Sequence, residues 1–283
     1  MPKPRLGRIN YINCLPIFYA LEEKLVRDVP VQMVYGHPNE LNRALAEGRL
    51  EISVVSSLAY AKQQDRCLVL PELSISSCGP VKSVALLSKV PLPDLAGRRV
   101  CLTPYSATSI VLLSILLQRF YGISAELFTR PAGTSPWWSD PEATLVIGDE
   151  ALLETSRREG LYVYDLGAEW YRFTGKHMVF ALVVAAAEFA QAFPSLLQEI
   201  WQGLLEAKTW GCEHPEALAS RASSLTGLPF ADLLEYFHCL QYDLTAAHLE
   251  GLHTFYQYAY EQDLLPEPVS VKLWRVEDAK HHS

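Results

Sequence analysis

The chain has 283 residues, of which 49% are hydrophobic and 20% charged, and its formal net charge is −8 at pH 7. This composition is typical of a globular protein with a substantial core, arranged as one large domain or two of ordinary size. The acidic balance and the lack of a basic stripe argue against nucleic-acid binding, because neutralising phosphates requires clustered Lys and Arg.

Targeting and metal-binding signals are also missing from the sequence. The N-terminus is basic but lacks the apolar segment of a signal peptide, and the most apolar stretch, residues 180–187, is too short to span a bilayer. The six cysteines form no Cys-x-x-Cys pair, and the eight histidines show no metal-ligand spacing. We therefore expect a cytoplasmic protein with no membrane association and no metal site. The sequence leaves the oligomeric state open, with a homo-oligomer among the alternatives.

The first third of the chain alternates strands and helices. Strands are predicted at residues 6–11, 29–35 and 51–55, and helices at residues 16–24, 38–47 and 58–61. Pro16 suits the first turn of a helix, and Gly48 suits the end of one. Such a βαβαβ rhythm predicts a mostly parallel sheet that is covered on both faces.

The rest of the chain predicts a second lobe and then a helical return. Strands at residues 84–88 and 99–103, a helix at 110–120, a strand-to-helix junction at 145–151 and a strand at 179–185 are followed by helices at 189–210, 215–225, 230–239 and 245–262. The Pro/Gly-rich stretch at residues 89–97 suits a crossing between lobes. The prediction is an α/β fold with lobe I at residues 1–88 plus 186–283, lobe II at 89–185, and a ligand cleft between them.

Three junctions in this pattern share one design, in which an apolar strand stops at small hydroxyl or amide residues and a helix begins at once. They are Asn10–Asn13 before Pro16, Val54–Ser57 before Leu58, and Leu102–Ser109 before Ile110. A helix start presents unpaired N–H groups and a partial positive charge. Several such starts around one cleft form an anion site that needs few Lys or Arg, so we expect a small carboxylate or phosphate compound as ligand.

These junctions supply the candidate site residues. Asn13 is the candidate catalytic residue, because its amide both donates and accepts hydrogen bonds, although helix capping is the alternative. The candidate substrate-binding residues are Tyr11, Ser56, Ser57, Ser83, Ser106, Thr108, Ser109 and Asp149. Capping is the alternative for most of these hydroxyls and for Asp149, and core packing is the alternative for Tyr11. The serines are not predicted nucleophiles, because no His–Asp pattern accompanies them.

The stretch from Gly7 to Pro16 resembles the opening motif Gly-x-Ile-x-Tyr-x-Asn-x-Leu-Pro of the MqnA family of menaquinone biosynthesis. Similar segments follow in the expected order at residues 54–60, 81–88, 106–109, 145–151 and 165–170. The resemblance spans about residues 5–265. After Gly175 the family usually has Leu-Pro-Phe-Val, whereas this chain has Lys176-His177-Met178-Val179. That segment is either a solvated loop or a cationic contact for a ligand carboxylate.

The resemblance implies a type II periplasmic-binding-protein-like fold that has become an enzyme. It implies chorismate dehydratase activity, which forms 3-[(1-carboxyvinyl)oxy]benzoate in the futalosine route to menaquinone, with no cofactor. One of the substrate's own carboxylates is implied as the proton acceptor. The alternatives are the naphthoate-forming enzyme of the same pathway, whose family typically uses a His base, and a non-catalytic binding protein for a small acid. The strand-end motifs above contain no His.

Overall fold

A computed structural model of the chain describes residues 3–157 and 160–275. The strands are β1 (Arg5–Ile9), β2 (Gln32–Gly36), β3 (Ile52–Ser56), β4 (Cys67–Ser77), β5 (Val84–Ser88), β6 (Arg99–Leu102), β7 (Glu126–Thr129), β8 (Ala143–Ile147), β9 (Tyr162–Asp165), β10 (Met178–Ala186) and β11 (Leu240–Gln241). The helices are α1 (Leu15–Glu22), α2 (Pro38–Ala46), α3 (Ser57–Ala61), α4 (Ala107–Ile115), α5 (Gly148–Arg157), α6 (Leu166–Thr174), α7 (Ala187–Ala192), α8 (Pro194–Glu213), α9 (Pro215–Thr226), α10 (Phe230–Cys239) and α11 (Ala246–Glu261). Short 3-10 turns lie at Ile12–Cys14 and Leu92–Leu95, and a π-helical turn at Leu116–Phe120 extends α4.

The first sheet has six strands in the order β11-β4-β10-β3-β1-β2. Strand β1 pairs in parallel with β2 and β3, which confirms the predicted βαβαβ unit. Strand β10 runs antiparallel to both β3 and β4. The sheet is therefore mixed rather than mostly parallel, because the chain returns from the second sheet in the opposite direction.

The second sheet has five strands in the order β7-β6-β8-β5-β9. Strand β6 is parallel to β7 and β8, whereas β5 is antiparallel to β8 and β9. The lobe boundaries drawn from the sequence assigned β5 to lobe I and β10 to lobe II, but hydrogen bonding places β5 in the second sheet and β10 in the first. The Pro/Gly-rich stretch at residues 89–97 connects β5 to β6, which are both strands of the second sheet, so it does not cross between the sheets.

We propose that the two crossings between lobes lie at residues 78–83 and 175–177, which separate the strands of the two sheets. Asp165 links them. Its carboxylate accepts hydrogen bonds from the backbone N–H groups of Val81 (3.1 Å) and Lys82 (2.6 Å) in the first crossing. It also accepts from the N–H of Ala168 (2.9 Å) and so caps α6, the helix that leads to the second crossing. The exact lobe boundaries otherwise stay a prediction, and residues 1–2, 158–159 and 276–283 lie outside the described part.

The C-terminal helices match the predicted ones closely, with one break. The helix predicted at residues 189–210 is divided into α7 and α8 at Pro194, which occupies the first turn of α8. Helix α11 packs against the second crossing so closely that a Cβ on Gly251 would lie 2.0 Å from the carbonyl oxygen of His177. Among the described helices, none has the length and apolar character needed to cross a bilayer.

Candidate active site

Seven of the nine predicted site residues meet in one cavity between the sheets. The space inside it is about 70 Å³, less than the roughly 300–1,000 Å³ that small-molecule sites usually occupy. The cavity lies where β1, β3, β6 and β8 reach their carboxyl ends. Seven candidates line it, namely Tyr11, Asn13, Ser56, Ser83, Ser106, Thr108 and Ser109. Ser57 and Asp149 are not among the lining residues.

The wall of this cavity carries no formal charge. Among the described residues that line it there is no Asp, Glu, Lys, Arg or His. Burial raises the pKa of Tyr11 well above its usual value, and the nearby charge of Asp149 raises it further, so this phenol stays neutral. Any ligand charge must therefore be met by hydroxyls, amides and helix starts. The described residues likewise contain no group of three or more His, Cys, Asp or Glu placed to hold a metal ion.

Asn13 lies in the 3-10 turn between β1 and α1 and does not act as a cap. The residues before this turn and before α1 make no side-chain cap hydrogen bond. The Oδ1 atom of Asn13 is buried and has no hydrogen-bond partner among the described residues. An unsatisfied buried carbonyl costs about 1–3 kcal/mol. Its persistence in the wall of a cavity points to a ligand group that donates a hydrogen bond there.

The two adjacent serines at the end of β3 have different roles. Ser56 lines the cavity and caps α3, because its Oγ accepts from the N–H of Ala59 at 3.3 Å. Ser57 is fully buried, and its hydroxyl donates to the carbonyl oxygen of Val179 at 2.6 Å. The hydroxyl of Ser57 therefore ties β10 to the start of α3 and faces away from the cavity. Its predicted contact with the ligand has no support in this geometry.

The hydroxyl cluster before α4 is partly self-satisfied. Ser106 caps the helix by accepting from the N–H of Ser109 (3.1 Å), and the two hydroxyl oxygens are 2.9 Å apart. Thr108 Oγ1 accepts from the backbone N–H of Leu58 across the cavity, at 2.9 Å. Because this bond uses a lone pair, the proton of the Thr108 hydroxyl remains available to donate to a ligand. The same residue therefore both joins the lobes and offers a donor.

Ser83 lies at the end of the first crossing, where the chain enters the second lobe. It is buried and lines the cavity, and its Oγ lies 3.4 Å from the carbonyl oxygen of Val81. The hydroxyl of the fully buried Tyr236 faces the Ser83 hydroxyl. The Ser83 side chain is thus placed between Tyr236 and the cavity.

Asp149 follows β8 and faces the 3-10 turn of the opposite lobe instead of the cavity. Its Oδ1 accepts a hydrogen bond of 3.2 Å from the backbone N–H of Ile12. Burial raises the pKa of this carboxyl to about 6, while the Ile12 bond and the charge of Arg8 act in the opposite direction. The prediction that Asp149 contacts the substrate directly therefore has no support here, because its carboxylate is engaged with the backbone.

Further contacts join the two lobes around the cavity mouth. The rings of His37 and Tyr105 stack with centroids 5.8 Å apart, and Asn39 Nδ2 donates to the carbonyl oxygen of Pro104 at 3.3 Å. The structure therefore shows the lobes in contact across the cleft.

Lys176 and His177 lie away from the cavity. The ammonium group of Lys176 pairs with Glu250 on α11, and the His177 ring packs on His248 with centroids 4.3 Å apart. Neither residue is in the cavity wall. This segment, which departs from the usual family motif, is therefore a loop in the second crossing that contacts α11. It is not a ligand contact.

Comparison with known proteins shows the family to which the chain belongs. The profile of a family described as menaquinone biosynthesis matches residues 4–261. The chain belongs to this menaquinone-biosynthesis family. It is 31% identical over 265 residues to a chorismate dehydratase of Thermus thermophilus, covering 88% of this chain and 93% of that protein. It is also 29% identical over 214 residues to a 1,4-dihydroxy-6-naphthoate synthase of the same organism, covering 75% of each.

The structural comparison confirms the predicted fold class. The periplasmic aliphatic sulphonate binding protein of Escherichia coli superposes with a TM-score of 0.70 at 17% identity, covering 97% of this chain and 93% of that one. Identity this low shows the fold alone. This member of the menaquinone-biosynthesis family thus has the periplasmic-binding-protein-like architecture, with its cavity at the strand ends between two sheets.

Several residues of the cavity wall were not among the predicted site residues. They include Pro38, Ile75, Phe180 and Leu240. Pro38 begins α2 shortly after β2 and so marks a fourth strand-to-helix junction, but Gly36 and His37 before it are not the hydroxyl or amide residues that identified the other three. The apolar residues carry no such signal, because in sequence they are indistinguishable from ordinary core positions.

We expect the stability of this family member to depend on the ionisation of Asp149. The native state binds a proton at this carboxyl more tightly than the unfolded chain, so stability should fall as the pH rises from about 4 to 6. A difference of about two units between the native and unfolded pKa values changes the free energy of unfolding by at most about 3 kcal/mol. Urea unfolding of the wild type and of Asp149→Asn across this range measures the effect. Identical pH slopes for the two proteins would contradict it.

Proposed function

We propose that this chain is a chorismate dehydratase, which converts chorismate to 3-[(1-carboxyvinyl)oxy]benzoate and water. Family membership and the similarity to the dehydratase of Thermus thermophilus support this activity. The structural observation that carries it is an uncharged cavity whose wall holds the Asn13 amide oxygen, which has no partner among the described residues. A dianionic substrate with a leaving hydroxyl has the chemistry that such a wall can receive.

The reaction needs little chemical help from the protein. The ring C–H bond next to the carbon that bears the hydroxyl breaks, its electron pair enters the ring, and the C–O bond breaks. The group that removes the proton passes it to the departing hydroxide to give water, so atoms and charge balance. The ring becomes aromatic, which supplies the driving force. The protein must fix the geometry of the substrate, assist the departure of the hydroxyl, and keep bulk water out.

Asn13 is the proposed residue at the leaving hydroxyl. Its Nδ2 would donate to the hydroxyl oxygen or to a substrate carboxylate, while its Oδ1, unpartnered among the described residues, would accept a hydrogen bond from the hydroxyl. Such an amide cannot serve as a strong base. Because the described wall contains no carboxylate and no imidazole, a substrate carboxylate is the proposed group that removes the ring proton.

The remaining polar residues of the wall are proposed to hold the two carboxylates. Ser106, Thr108 and Ser109 lie at the start of α4, where hydroxyl donors and the positive end of the helix dipole combine. Ser56 and Ser83 lie on other sides of the same cavity. Tyr11 is proposed to close the wall beside Asn13 as a neutral aromatic group.

Incubation of the purified protein with chorismate tests this proposal directly. Chromatography with mass detection should show loss of chorismate and formation of 3-[(1-carboxyvinyl)oxy]benzoate, and ultraviolet absorbance should follow aromatisation. Unchanged chorismate would overturn the proposal. Tight binding of chorismate without turnover would favour the alternative that the chain is a non-catalytic binding protein.

The naphthoate-forming activity remains the second candidate because of the 29% identity to the naphthoate synthase. The wall of the cavity argues against it, because a reaction with a histidine base needs an imidazole within reach, and the described wall has none. His37 lies nearby, but its ring stacks on Tyr105 outside the wall. A product screen with the substrate of that later step, beside chorismate, separates the two activities.

Replacing Thr108 by valine is expected to raise KM for chorismate about 10- to 100-fold, with a smaller effect on kcat. The change removes a hydrogen bond to a charged group, worth about 1.5–3 kcal/mol, and leaves the N–H of Leu58 without its acceptor. Thr108→Ser keeps the hydroxyl and is the matched control. Steady-state kinetics measure both variants, and an unchanged KM for Thr108→Val would show that this hydroxyl does not hold the substrate.

We also propose that the protein works in the cytoplasm. All six cysteines are unpaired, which suits a reducing compartment.

A further inference from the structure

The turn that carries Asn13 has no cap of its own. Tyr11 precedes the 3-10 turn Ile12–Cys14 in the N-cap position, and it makes no side-chain cap hydrogen bond. Inside the turn, the N–H of Cys14 donates to the carbonyl oxygen of Tyr11 at 3.1 Å. The first N–H groups of any helical turn lack partners within it. The N–H of Ile12, the residue directly before Asn13, therefore needs an acceptor from elsewhere.

Asp149 supplies that acceptor from the other lobe. Its Oδ1 lies 3.2 Å from the nitrogen of Ile12, although the two residues are 137 positions apart in sequence. Ile12 is buried, and Asp149 beside it is half-buried.

Gly148 makes the approach of Asp149 possible. Its φ is +58°, a conformation that residues with side chains rarely adopt. A Cβ at this position would also lie 3.1 Å from the Tyr11 ring, so the end of β8 packs directly on the residue that precedes the turn. The backbone geometry and the hydrogen bond thus bring the second lobe to the same three-residue turn.

We propose that Asp149 is a positioning residue that caps the Asn13 turn from the opposite lobe, so that the reactive placement of Asn13 depends on contact between the lobes. This role rests on the proposed dehydratase function for its kinetic consequence, but the cap itself does not. Asp149 contributes no atom to the cavity wall and acts on the substrate only through the turn.

Two kinds of variant separate this role from a merely structural one. Asp149→Leu and Asp149→Ala lack the acceptor, and kcat for chorismate should fall about 10- to 100-fold while KM changes less than about threefold. Asp149→Asn keeps an oxygen in place and should recover kcat to within about threefold of the wild type. If Asp149→Asn is as slow as Asp149→Leu, the hydrogen bond is not the operative contact and the proposal is overturned.

A double-variant cycle gives a second kinetic test. If Asp149 acts through Asn13, then Asn13→Ala combined with Asp149→Leu should turn over chorismate no more slowly than Asn13→Ala alone. Losses that multiply would mean that Asp149 acts independently of Asn13, which contradicts the proposal.

Amide hydrogen exchange tests the cap without any substrate. The Ile12 amide should be protected in the wild type and in Asp149→Asn, and should lose that protection in Asp149→Leu, as measured by NMR on the ligand-free protein. Equal protection in all three proteins would overturn the proposal. If the wild type leaves chorismate unchanged but the exchange pattern holds, the proposed function fails and the cap stands.

Discussion

Replacement of Asn13 by alanine is expected to lower kcat for chorismate at least about 100-fold, as loss of a single transition-state hydrogen-bond donor does in other enzymes. Stability should change little, because Oδ1 has no partner among the described residues to lose, and relief of its unsatisfied burial offsets the packing lost with the side chain. The midpoint of thermal unfolding should therefore remain within about 2 °C of the wild type, which corresponds to about 1 kcal/mol for a chain of this size. Asn13→Leu should behave in the same way, since it keeps much of the volume.

Asn10→Ala is the matched control for this experiment. Asn10 is the same residue type three positions earlier in the same connection, but it is exposed and does not line the cavity. Its removal should leave kcat and KM near the wild-type values. Near-normal turnover by Asn13→Ala would show that the unpartnered amide has another purpose, such as holding a buried water molecule.

Replacement of Gly251 by alanine is expected to destabilise the protein by about 3 kcal/mol, although the same change in an exposed helix gains about 1 kcal/mol. The new Cβ would lie 2.0 Å from the carbonyl oxygen of His177, and this neighbour is backbone that cannot rotate away. Either α11 or the second crossing must move. Urea unfolding at neutral pH measures the free energy of unfolding for the wild type and the variant.

His253→Ala, an exposed position two residues further along α11, is the control for the helix itself and should change stability by less than about 0.5 kcal/mol. A Gly251→Ala protein as stable as the wild type would mean that α11 and the crossing are not in close contact. Because the crossing joins the lobes, kinetic constants of a folded Gly251→Ala protein would also report how far the cleft tolerates a shift there.

The parts of the fold that could be predicted from the sequence are those with a strong periodic signal. Strands β1 to β3 and the return strand β10 follow from short apolar runs between turn residues, and the C-terminal helices follow from their spacing. Strand β4 was missed because serines interrupt it. Ser74 and Ser76 are buried, and their hydroxyls donate to the carbonyl oxygens of Asp243 (2.5 Å) and Gln241 (3.1 Å) beside β11.

The candidate site was only partly accessible to sequence reasoning. A hydroxyl at a strand end predicts proximity to the cleft but not the direction in which it points, and so Ser56 and Ser57 could not be distinguished. The role of Asp149 was out of reach because its partner is a backbone N–H group far away in sequence. The apolar part of the wall, such as Ile75 and Phe180, depends on how the sheets face each other, which no local pattern encodes.

The uncharged wall of the cavity has a consequence for the ionic-strength dependence of binding. Sites that hold anions with Lys or Arg weaken as salt screens the attraction, whereas here the lining residues offer only dipoles at short range. The charge that a dianion meets on approach is the overall −8 of the chain, which repels it. Added sodium chloride should therefore lower KM or leave it unchanged, the reverse of the behaviour of an arginine-lined pocket.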